Sequence, residues 1–376
     1  MASMIHLIAA ARPNFMKVAP LYHALKAAPD FDVKIIHTGQ HYDANMSDVF
    51  FEDLGLPRPD YHLEVGSGSH AEQTGNVMIK YEEVAMSDRP DWTVVVGDVN
   101  STAAVAMVCA KLHIPVVHLE AGLRSGDRTM PEEINRLVTD AICDLLWTPS
   151  IDGDEHLAAE GVPAWRVERV GNIMLDSYEL MRTKIDASTN MQDLGLKAGK
   201  YGVVTLHRPS NVDDKDTLGL LVDELEAVSA SIELVFPVHP RTRNNMEKFG
   251  LLDRIESIPG IRLIEPLGYV QFMNLVKSSA LAITDSGGLQ EETTYLGLPC
   301  LTVRPNTERP ATITQGTNKL VKPANLSAEV SKALAGDWPT GQRPDLWDGK
   351  TAARCLESLR SCIAIGPANL QDRPKS

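Results

Sequence analysis

The sequence has few cysteines, few aromatic residues and no long apolar run. Its five cysteines, among 376 residues, are widely spaced, odd in number and set among apolar neighbours. This pattern is typical of reduced thiols in the core of a cytosolic protein, and it favours neither a disulfide framework nor a metal site. The apolar runs stay short of the roughly 18–20 residues that a membrane helix needs. We therefore expect a cytoplasmic protein with no bound metal and no membrane partner.

The sequence is also short of basic residues, and its formal net charge is −14. This charge argues against a nucleic acid or an anionic membrane surface as partner. An anionic ligand must then be held by a local group of basic side chains. The chain has neither a Walker-type phosphate loop nor a Gly-x-Gly-x-x-Gly motif, which disfavours nucleotide hydrolysis and dinucleotide redox chemistry.

The length predicts two domains. Short apolar runs alternate with helical stretches, and the clearest predicted strands are residues 5–10, 33–37, 92–96, 115–119, 201–205, 232–238 and 281–284. Such alternation indicates an α/β protein whose parallel sheets are covered on both faces. We predict domains over residues 1–170 and 171–350, then a closing helix over 351–365 and a tail, 366–376, without regular structure.

The stretch 281–300 has the most informative pattern. A short apolar run ends in the small-residue turn 285–288, and the helical pattern that follows stops at Gly297. Free N–H groups at such a helix start, together with the helix dipole, favour an anion such as a phosphate. Ser286 adds a hydroxyl donor, and Glu292 is placed to accept hydrogen bonds from ribose hydroxyls. An ordinary strand–helix turn with a capping serine explains the pattern about equally well.

Charged residues follow several predicted strands of the first half. Arg12 and Lys17 come after the first strand, and two cations there suit a diphosphate. Asp98 and Glu120 follow two later strands, and Glu132 lies in the first turn of a predicted helix. Because the carboxyl ends of parallel strands meet at one edge, we expect these carboxylates to lie together, as in acid–base sites. Taken singly, each would be interpreted as a cap, a salt-bridge partner or a solvated charge.

Histidines follow two strands of the second half, His207 and His239. A histidine directly after a strand of an α/β sheet is more often functional than a histidine on a helix face. His113 and His118 are interpreted as ordinary core or surface histidines.

Taken in order, these motifs resemble those of the non-hydrolysing UDP-N-acetylglucosamine 2-epimerases over nearly the whole chain. The motifs are RP at 12–13 with KVAP at 17–20, GD at 97–98, EAGLR at 120–124, PEE at 131–133, HR at 207–208, PVHP at 237–240, DSGG at 285–288 with EE at 291–292, and TERP at 307–310. The resemblance implies two Rossmann-like domains facing each other across a cleft, the glycosyltransferase-B fold. It also implies that the C-terminal helix, within 351–376, returns to the first domain.

The resemblance further implies a reaction and a partner. Members of the family convert UDP-N-acetylglucosamine reversibly to UDP-N-acetylmannosamine, through anti elimination of UDP to 2-acetamidoglucal and re-addition. This implies a UDP-sugar substrate, no cofactor and a homodimer. The C2 proton of a sugar is very weakly acidic, so departure of UDP must develop first. Such a site needs a carboxylate base, cations for the diphosphate and containment of the intermediate.

Matching positions imply roles for individual residues. The catalytic set is Asp98, Glu120, Glu132, His207 and Lys17. The substrate-binding set is Arg12, Arg136, His239, Ser286, Gly287, Gly288, Gln290, Glu292 and Arg309. Many bacterial members also bind a second UDP-N-acetylglucosamine as an activator, and the matching positions for that allosteric site are Gln40, Arg208 and His239.

The chain departs from the family pattern in two loops. Asn14 stands where the family often has a glutamate, and Pro209-Ser210 replace Arg-Glu in the histidine motif of the second domain. The substrate is therefore open to be another UDP-2-acetamido sugar, including a uronic acid. Three other functions stay open: a hydrolysing 2-epimerase, a glycosyltransferase of the same fold without the first-domain carboxylates, and a nucleotide-sugar-binding regulator without turnover.

Overall fold

The computed structural model describes residues 2–10, 12–39 and 54–372, without the side chains of Arg12 and Pro13. The chain divides into two compact units, Met1–Leu180 with Asp345–Ser376, and Met181–Pro344. Each unit contains a parallel sheet with helices between its strands. The predicted fold class, two Rossmann-like α/β domains with the C-terminal helix in the first, is confirmed.

The first unit contains seven strands over the described residues. They are β1 (Ser3–Ala9), β2 (Phe31–His37), β3 (Tyr61–His62), β4 (Trp92–Val96), β5 (Val116–Leu119), β6 (Leu145–Thr148) and β7 (Val167–Arg169). Their order is β3-β2-β1-β4-β5-β6-β7, and all of the pairs are parallel. Every residue of β4 and β5 is buried, which explains their largely apolar sequences.

The second unit repeats this plan with six strands. They are β8 (Tyr201–Thr205), β9 (Glu233–Pro237), β10 (Ile261–Ile264), β11 (Leu281–Thr284), β12 (Cys300–Thr302) and β13 (Asn318–Leu320). Their order is β10-β9-β8-β11-β12-β13, again parallel throughout. The predicted strands all lie in the central part of the two sheets, whereas β3, β6, β7, β10, β12 and β13 fall outside that prediction.

Helices cover the sheets and connect the strands. In the first unit they are Arg12–Ala27, His70–Ser87, Asn100–Leu112, Pro131–Ile142, Ile151–Ala159 and Thr351–Ile365, with 3-10 turns at Ala164–Arg166 and Pro367–Asp372. Ile173–Ala187 crosses from the first unit into the second. The second unit adds Asn190–Asp193, Pro209–Val212, Lys215–Ser229, Pro240–Phe249, Leu252–Glu256, Tyr269–Ser278, Gly287–Leu296, Ala311–Thr314 and Leu326–Leu334, with a 3-10 turn at Pro323–Asn325.

The two ends of the second unit differ from the predicted boundaries near 170 and 350. The helix Ile173–Ala187 belongs to the first unit as far as Leu180. The carboxylate of Asp176 holds it there, because it accepts hydrogen bonds from the backbone N–H groups of Thr351 (3.0 Å) and Ala352 (2.8 Å) at the start of the closing helix. Unsatisfied N–H groups at a helix start favour such a carboxylate.

The tail was expected to lack structure, and over its described residues this expectation is wrong. Pro367–Asp372 forms 3-10 turns, and the side chain of Leu370 is buried. An apolar side chain that finds a place to pack is enough to order a short segment.

The strand order reverses between β1 and β4 in the first sheet and between β8 and β11 in the second. In open α/β sheets, ligands bind beside such switch points at the carboxyl ends of the strands. In each unit, a functional site is therefore expected in the segments that follow these strands.

Candidate functional site

The first unit brings Lys17, Glu120 and Gly97 together. Lys17 lies on the helix after β1, and its ammonium forms an ion pair with the carboxylate of Glu120, which follows β5. A Cβ on Gly97, directly after β4, would lie 3.4 Å from both Lys17 Nζ and Glu120 Oε2. The glycine therefore leaves room for the ion pair at the switch point.

Two residues of this group have unusual backbone conformations. Gly97 has φ +70°, and Glu120, which carries a side chain, has φ +72°. A non-glycine residue in the left-handed region costs roughly 1–2 kcal/mol. Such strain persists where the surrounding structure fixes it and is frequent at functional sites.

Asp98 is held by a second ion-pair network. Arg136 Nη1 lies 2.5 Å from Asp98 Oδ2, and Arg136 Nη2 lies 2.6 Å from Glu133 Oε2. Arg136 and Glu133 are buried, whereas the Asp98 side chain is 35% exposed. The backbone carbonyl of Asp98 also accepts a hydrogen bond from Asn135 Nδ2 at 2.9 Å. Asp98 is thus fixed in orientation but open on one side.

Glu132 and Glu133 occupy adjacent positions on the helix Pro131–Ile142 and have different environments. Glu132 is exposed. Glu133 is buried and accepts hydrogen bonds from the N–H groups of Ser125 and Gly126, both at 2.9 Å. Burial would raise the pKa of Glu133, but these bonds and Arg136 outweigh it and lower the pKa below its ordinary value. The structure therefore places Glu132, of the two, where it is accessible to a ligand.

The remaining predicted residues of this unit are Arg12 and Gln40. Arg12 begins the helix Arg12–Ala27, but its side chain, like the whole of Gln40, lies outside the described residues. Asn14, where the family often has glutamate, is buried and donates a hydrogen bond to the Val96 carbonyl at 3.0 Å. It therefore joins the segment after β1 to the end of β4, on the two sides of the switch point.

His118 was interpreted as an ordinary histidine, but the structure places it in contact with this site. Its ring is buried between Asp140 and the carbonyl of Gly97. One signal for this position was present in the sequence, since His118 stands in β5 two residues before Glu120.

In the second unit, Asp285 organises the segments after β8 and β11. Its buried carboxylate accepts hydrogen bonds from the backbone N–H of His207 (3.0 Å), the backbone N–H of Arg208 (2.9 Å) and Asn211 Nδ2 (3.0 Å). His207 Nδ1 lies 2.9 Å from Asp285 Oδ1. Burial would raise the pKa of Asp285, but His207 and the other donors outweigh it and lower the pKa. The sequence motif contained Asp285, but its role in orienting His207 was missed.

The helix Gly287–Leu296 begins directly after Asp285 and Ser286. A Cβ on Gly287 would lie 2.7 Å from Arg309 Nη1 and 2.8 Å from Glu308 Oε1. The glycine thus allows the Arg309–Glu308 pair to approach the helix start. Gly288 lies in the first turn of this helix, one residue after Gly287.

Arg309 is engaged by acidic side chains. It pairs with Glu308, and its Nε lies 2.9 Å from Glu291 Oε1. Glu308 also pairs with Arg304 at 2.8 Å. Burial would raise the pKa of Glu308, but Arg309 and Arg304 lower it well below its usual range. Arg208 Nη2 lies 4.0 Å from Glu308 Oε1, so three guanidinium groups surround one carboxylate.

Gln290 contacts the segments that carry Ser286 and Thr307, and His239 lies beside His207. Gln290 is buried, donates to the Ser286 carbonyl at 3.1 Å and accepts from Thr307 Oγ1 at 2.8 Å. His239 is exposed, and its ring centroid lies 5.6 Å from that of His207. Partial burial and the neighbouring His207 lower the pKa of His239 below its ordinary value.

Glu292 is buried one turn into the helix and accepts a hydrogen bond from the Tyr269 hydroxyl at 2.7 Å. Burial raises the pKa of Glu292 to about 7; the hydrogen bond opposes this effect, and the nearby Glu291 adds to it. This carboxyl group therefore titrates near neutral pH.

Within residues 2–10, 12–39 and 54–372, no group of three or more His, Cys, Asp or Glu side chains is arranged to hold a metal ion. In the same part of the chain, no helix is long and apolar enough to cross a membrane.

Comparison with known proteins gives consistent matches over most of the chain. Residues 23–360 match the family described as UDP-N-acetylglucosamine 2-epimerase. The chain is 42% identical over 323 residues to the UDP-N-acetylglucosamine 2-epimerase of Methanocaldococcus jannaschii, covering 84% of this chain and 88% of that protein. It is 39% identical over 356 residues to the UDP-2,3-diacetamido-2,3-dideoxy-D-glucuronate 2-epimerase of Pseudomonas aeruginosa, covering 94% and 98% of the two chains.

A solved structure agrees with these matches. The crystal structure of Methanocaldococcus jannaschii UDP-GlcNAc 2-epimerase in complex with UDP-GlcNAc and UDP superimposes with a TM-score of 0.85. It is 39% identical in sequence, and the match covers 95% of this chain and 99% of that one.

Proposed function

We propose that this chain, which belongs to the UDP-N-acetylglucosamine 2-epimerase family, converts UDP-N-acetylglucosamine to UDP-N-acetylmannosamine by eliminating UDP and adding it back. In the first half-reaction, the C2–H bond and the C1–O bond to UDP break and a C1=C2 double bond forms. In the second half-reaction, UDP returns to C1 and a proton is delivered to the opposite face of C2.

The observation that carries this proposal is the Lys17–Glu120 pair beside Gly97, the residue that precedes Asp98 in the chain. Two proton transfers on opposite faces need two acid–base groups, and the carboxyl groups of Asp98, Glu120 and Glu132 supply them. Lys17 stabilises the negative charge that develops on the departing diphosphate. A glycosyltransferase needs a nucleotide site but has no need for this set of carboxylates.

The second unit is proposed to bind UDP. The free N–H groups at the start of Gly287–Leu296 favour a phosphate, and Ser286 adds a hydroxyl donor. His207, oriented by Asp285, is placed to donate to a diphosphate oxygen. Glu292, one turn along the helix, accepts a hydrogen bond from the Tyr269 hydroxyl, and we assign to it the hydrogen bonds from the ribose hydroxyls as well. In this proposal Arg309 contributes to the UDP site by fixing the side chains of Glu291 and Glu308, with which it is paired.

The identity of the acetamido sugar is also part of the proposal. The Methanocaldococcus relative is named for UDP-N-acetylglucosamine and the Pseudomonas relative for a diacetamido uronate, and their similarity to this chain is comparable. We propose UDP-N-acetylglucosamine as the substrate because the family description and the liganded structure name it. Comparing kcat/KM for the two UDP-sugars decides between them.

The decisive experiment follows the reaction by proton NMR in deuterated water. Elimination and re-addition place deuterium at C2 of the product, and an 18O label in the bridging oxygen scrambles into the non-bridging β-phosphate positions. Inversion at C2 without deuterium would contradict the proposal.

The same spectra separate the other candidate functions. A hydrolysing epimerase releases free N-acetylmannosamine and UDP in amounts that match the substrate consumed. A glycosyltransferase leaves C2 unlabelled, and a binding protein leaves the substrate unchanged. In the variant Glu120→Gln, label at C2 should be lost, whereas Glu247→Gln, an exposed glutamate of the second unit, should behave as wild type.

Two further points of the proposal concern the state of the protein. We propose a homodimer, which light scattering coupled to size-exclusion chromatography tests. We propose the cytoplasm as its location because all five cysteines are free and buried, and thiols persist in reducing compartments. Localisation of a fluorescent fusion tests that assignment.

A further inference from the structure

His118 lies on β5 with its ring fully buried, at 0% exposure. Both ring nitrogens are within hydrogen-bonding distance of a partner. Nδ1 lies 2.6 Å from Asp140 Oδ1, and Nε2 lies 2.8 Å from the backbone carbonyl oxygen of Gly97. The ring therefore bridges the helix Pro131–Ile142 and the residue after β4.

Both of these partners are hydrogen-bond acceptors. A backbone carbonyl can only accept. Asp140 is bound as a carboxylate, because its other oxygen, Oδ2, forms an ion pair with Arg124 Nη1 at 2.7 Å, which stabilises the negative charge. The same oxygen accepts a hydrogen bond from the backbone N–H of Gly122 at 3.0 Å. A neutral imidazole has one donor and one acceptor nitrogen. At one of its two contacts, the lone pair of the ring nitrogen would therefore face the lone pair of an acceptor oxygen, which is repulsive. Only the imidazolium form, with two N–H donors, satisfies both contacts.

A buried cation needs a charged partner, and Asp140 provides it. Asp140 is itself buried. Burial would raise its pKa, but His118 and Arg124 outweigh that effect and lower the pKa below its ordinary value. Arg124 is also paired with Glu160 at 2.7 Å, so the positive and negative charges of this network balance.

The carbonyl that His118 holds belongs to the residue that borders the proposed acid–base groups. The φ angle of Gly97 is +70°, and a Cβ at this position would lie 3.4 Å from Lys17 Nζ and from Glu120 Oε2. Its own N–H donates to the Leu119 carbonyl at 3.0 Å, and its carbonyl precedes Asp98 in the chain. Fixing this peptide therefore fixes Asp98 relative to Glu120.

We propose that His118 is a positioning residue for the reaction, a buried imidazolium that ties the Gly97 carbonyl to Asp140 and so sets the relative placement of Asp98 and Glu120. This inference rests on the proposed function of the first-unit site. It adds to that site a residue that contacts no substrate.

Two substitutions separate the two hydrogen bonds. The amide of His118→Gln reaches as far as Nε2 and can still donate to the Gly97 carbonyl. The shorter amide of His118→Asn replaces Nδ1 and cannot reach Gly97. We expect kcat to fall at least about tenfold more in His118→Asn than in His118→Gln, because small misplacements of catalytic groups are costly. His113→Asn, at an exposed histidine with φ +55°, should leave kcat unchanged.

The affinity for UDP distinguishes positioning from general damage to the fold. UDP is proposed to bind the second unit, so both His118 variants should bind UDP as wild type does in calorimetry. If the wild type is active and the two His118 variants have equal kcat, the positioning role is rejected. A wild type without turnover on UDP-N-acetylglucosamine would instead reject the proposed function.

The protonation state can be measured on the unmodified protein, whether or not the variants fold. Nitrogen-15 NMR of the histidine rings should show a hydrogen on both His118 nitrogens at neutral pH, and His113→Asn and His118→Gln spectra assign the signals. A His118 ring with one protonated nitrogen would overturn the inference.

Discussion

The ammonium of Lys17 is paired with the carboxylate of Glu120 across the switch point of the first sheet. If Glu120 transfers the C2 proton, Glu120→Gln should lower kcat by at least roughly 100-fold, the scale expected for an acid–base group. Asp98→Asn should have a similar effect on kcat and little effect on folding, because Asp98 is partly exposed. Steady-state kinetics and urea unfolding measure both, with Glu247→Gln as control. Turnover near the wild-type rate in either variant would remove that residue from the catalytic set.

The neighbouring glutamates 132 and 133 should respond in opposite ways to the same substitution. Glu132→Gln should lower kcat and leave the free energy of unfolding unchanged, because Glu132 is exposed. Glu133→Gln should lower the free energy of unfolding by about 1.5–3 kcal/mol, since buried charge-assisted hydrogen bonds are lost. Urea unfolding and kinetics on the pair test this. Equal stability of the two variants would contradict it.

Gly97→Ala should damage both the fold and the site. The φ angle of +70° makes alanine cost about 1–2 kcal/mol of unfolding free energy, and the new methyl group would contact Glu120 and Lys17. Gly195→Ala is a matched control, because Gly195 has φ +66° and open space around it among the described residues. Both variants should lose similar stability, but only Gly97→Ala should lose turnover. Normal kcat in Gly97→Ala would show that turnover does not depend on the open space between Gly97 and the Lys17–Glu120 pair.

Gly287→Ala probes the proposed UDP site more cleanly than Arg309→Ala. Removing Arg309 would break its buried ion pair with Glu291 and take away one of the guanidinium groups around Glu308, and breaking a buried pair typically costs about 3–5 kcal/mol of stability. A methyl group on Gly287 instead displaces the Arg309–Glu308 pair at the helix start.

We expect Gly287→Ala to weaken UDP binding by about 1.5–3 kcal/mol, the scale of a lost charge-assisted hydrogen bond. Calorimetry with UDP measures this. Gly219→Ala, on a helix face with open space among the described residues, serves as control and should raise stability by about 0.5–1 kcal/mol. Unchanged UDP affinity in Gly287→Ala would place the nucleotide elsewhere.

Glu292 should make stability depend on pH. Its pKa in the folded protein is raised from 4.5 to about 7, so between these values the folded state holds a proton that the unfolded state has released. The contribution of Glu292 is therefore most favourable below pH 4.5 and declines as the pH rises to about 7, by up to ~3 kcal/mol.

Glu292→Gln removes this titration. The difference in unfolding free energy between wild type and Glu292→Gln should change across pH 4.5 to 7. Glu247→Gln, at an exposed glutamate, is the control variant. Urea unfolding at several pH values measures it. Parallel curves for wild type and Glu292→Gln would show that burial does not raise this pKa.

The predicted strands are the central strands of both sheets because those strands are covered on both faces. Their apolar runs are continuous, as in 92–96 and 281–284, and can be recognised locally. The outer strands β3, β12 and β13 have only two or three residues each. Runs that short resemble ordinary loop sequence, so only pairing with a neighbouring strand defines them.

The sequence by itself determined the two α/β units and the positions of the proposed site residues after their central strands, because strand ends and helix starts depend on local patterns of apolar, small and charged residues. It did not determine which of Glu132 and Glu133 is buried, since neighbouring residues on a helix point about 100° apart and packing decides which face is covered. The proposed role of His118 depends on its contacts with Asp140, on a helix, and with Gly97, directly after another strand. Only the tertiary structure brings these three together, because the contacts of a buried polar group are made across strands and helices that are distant in the chain.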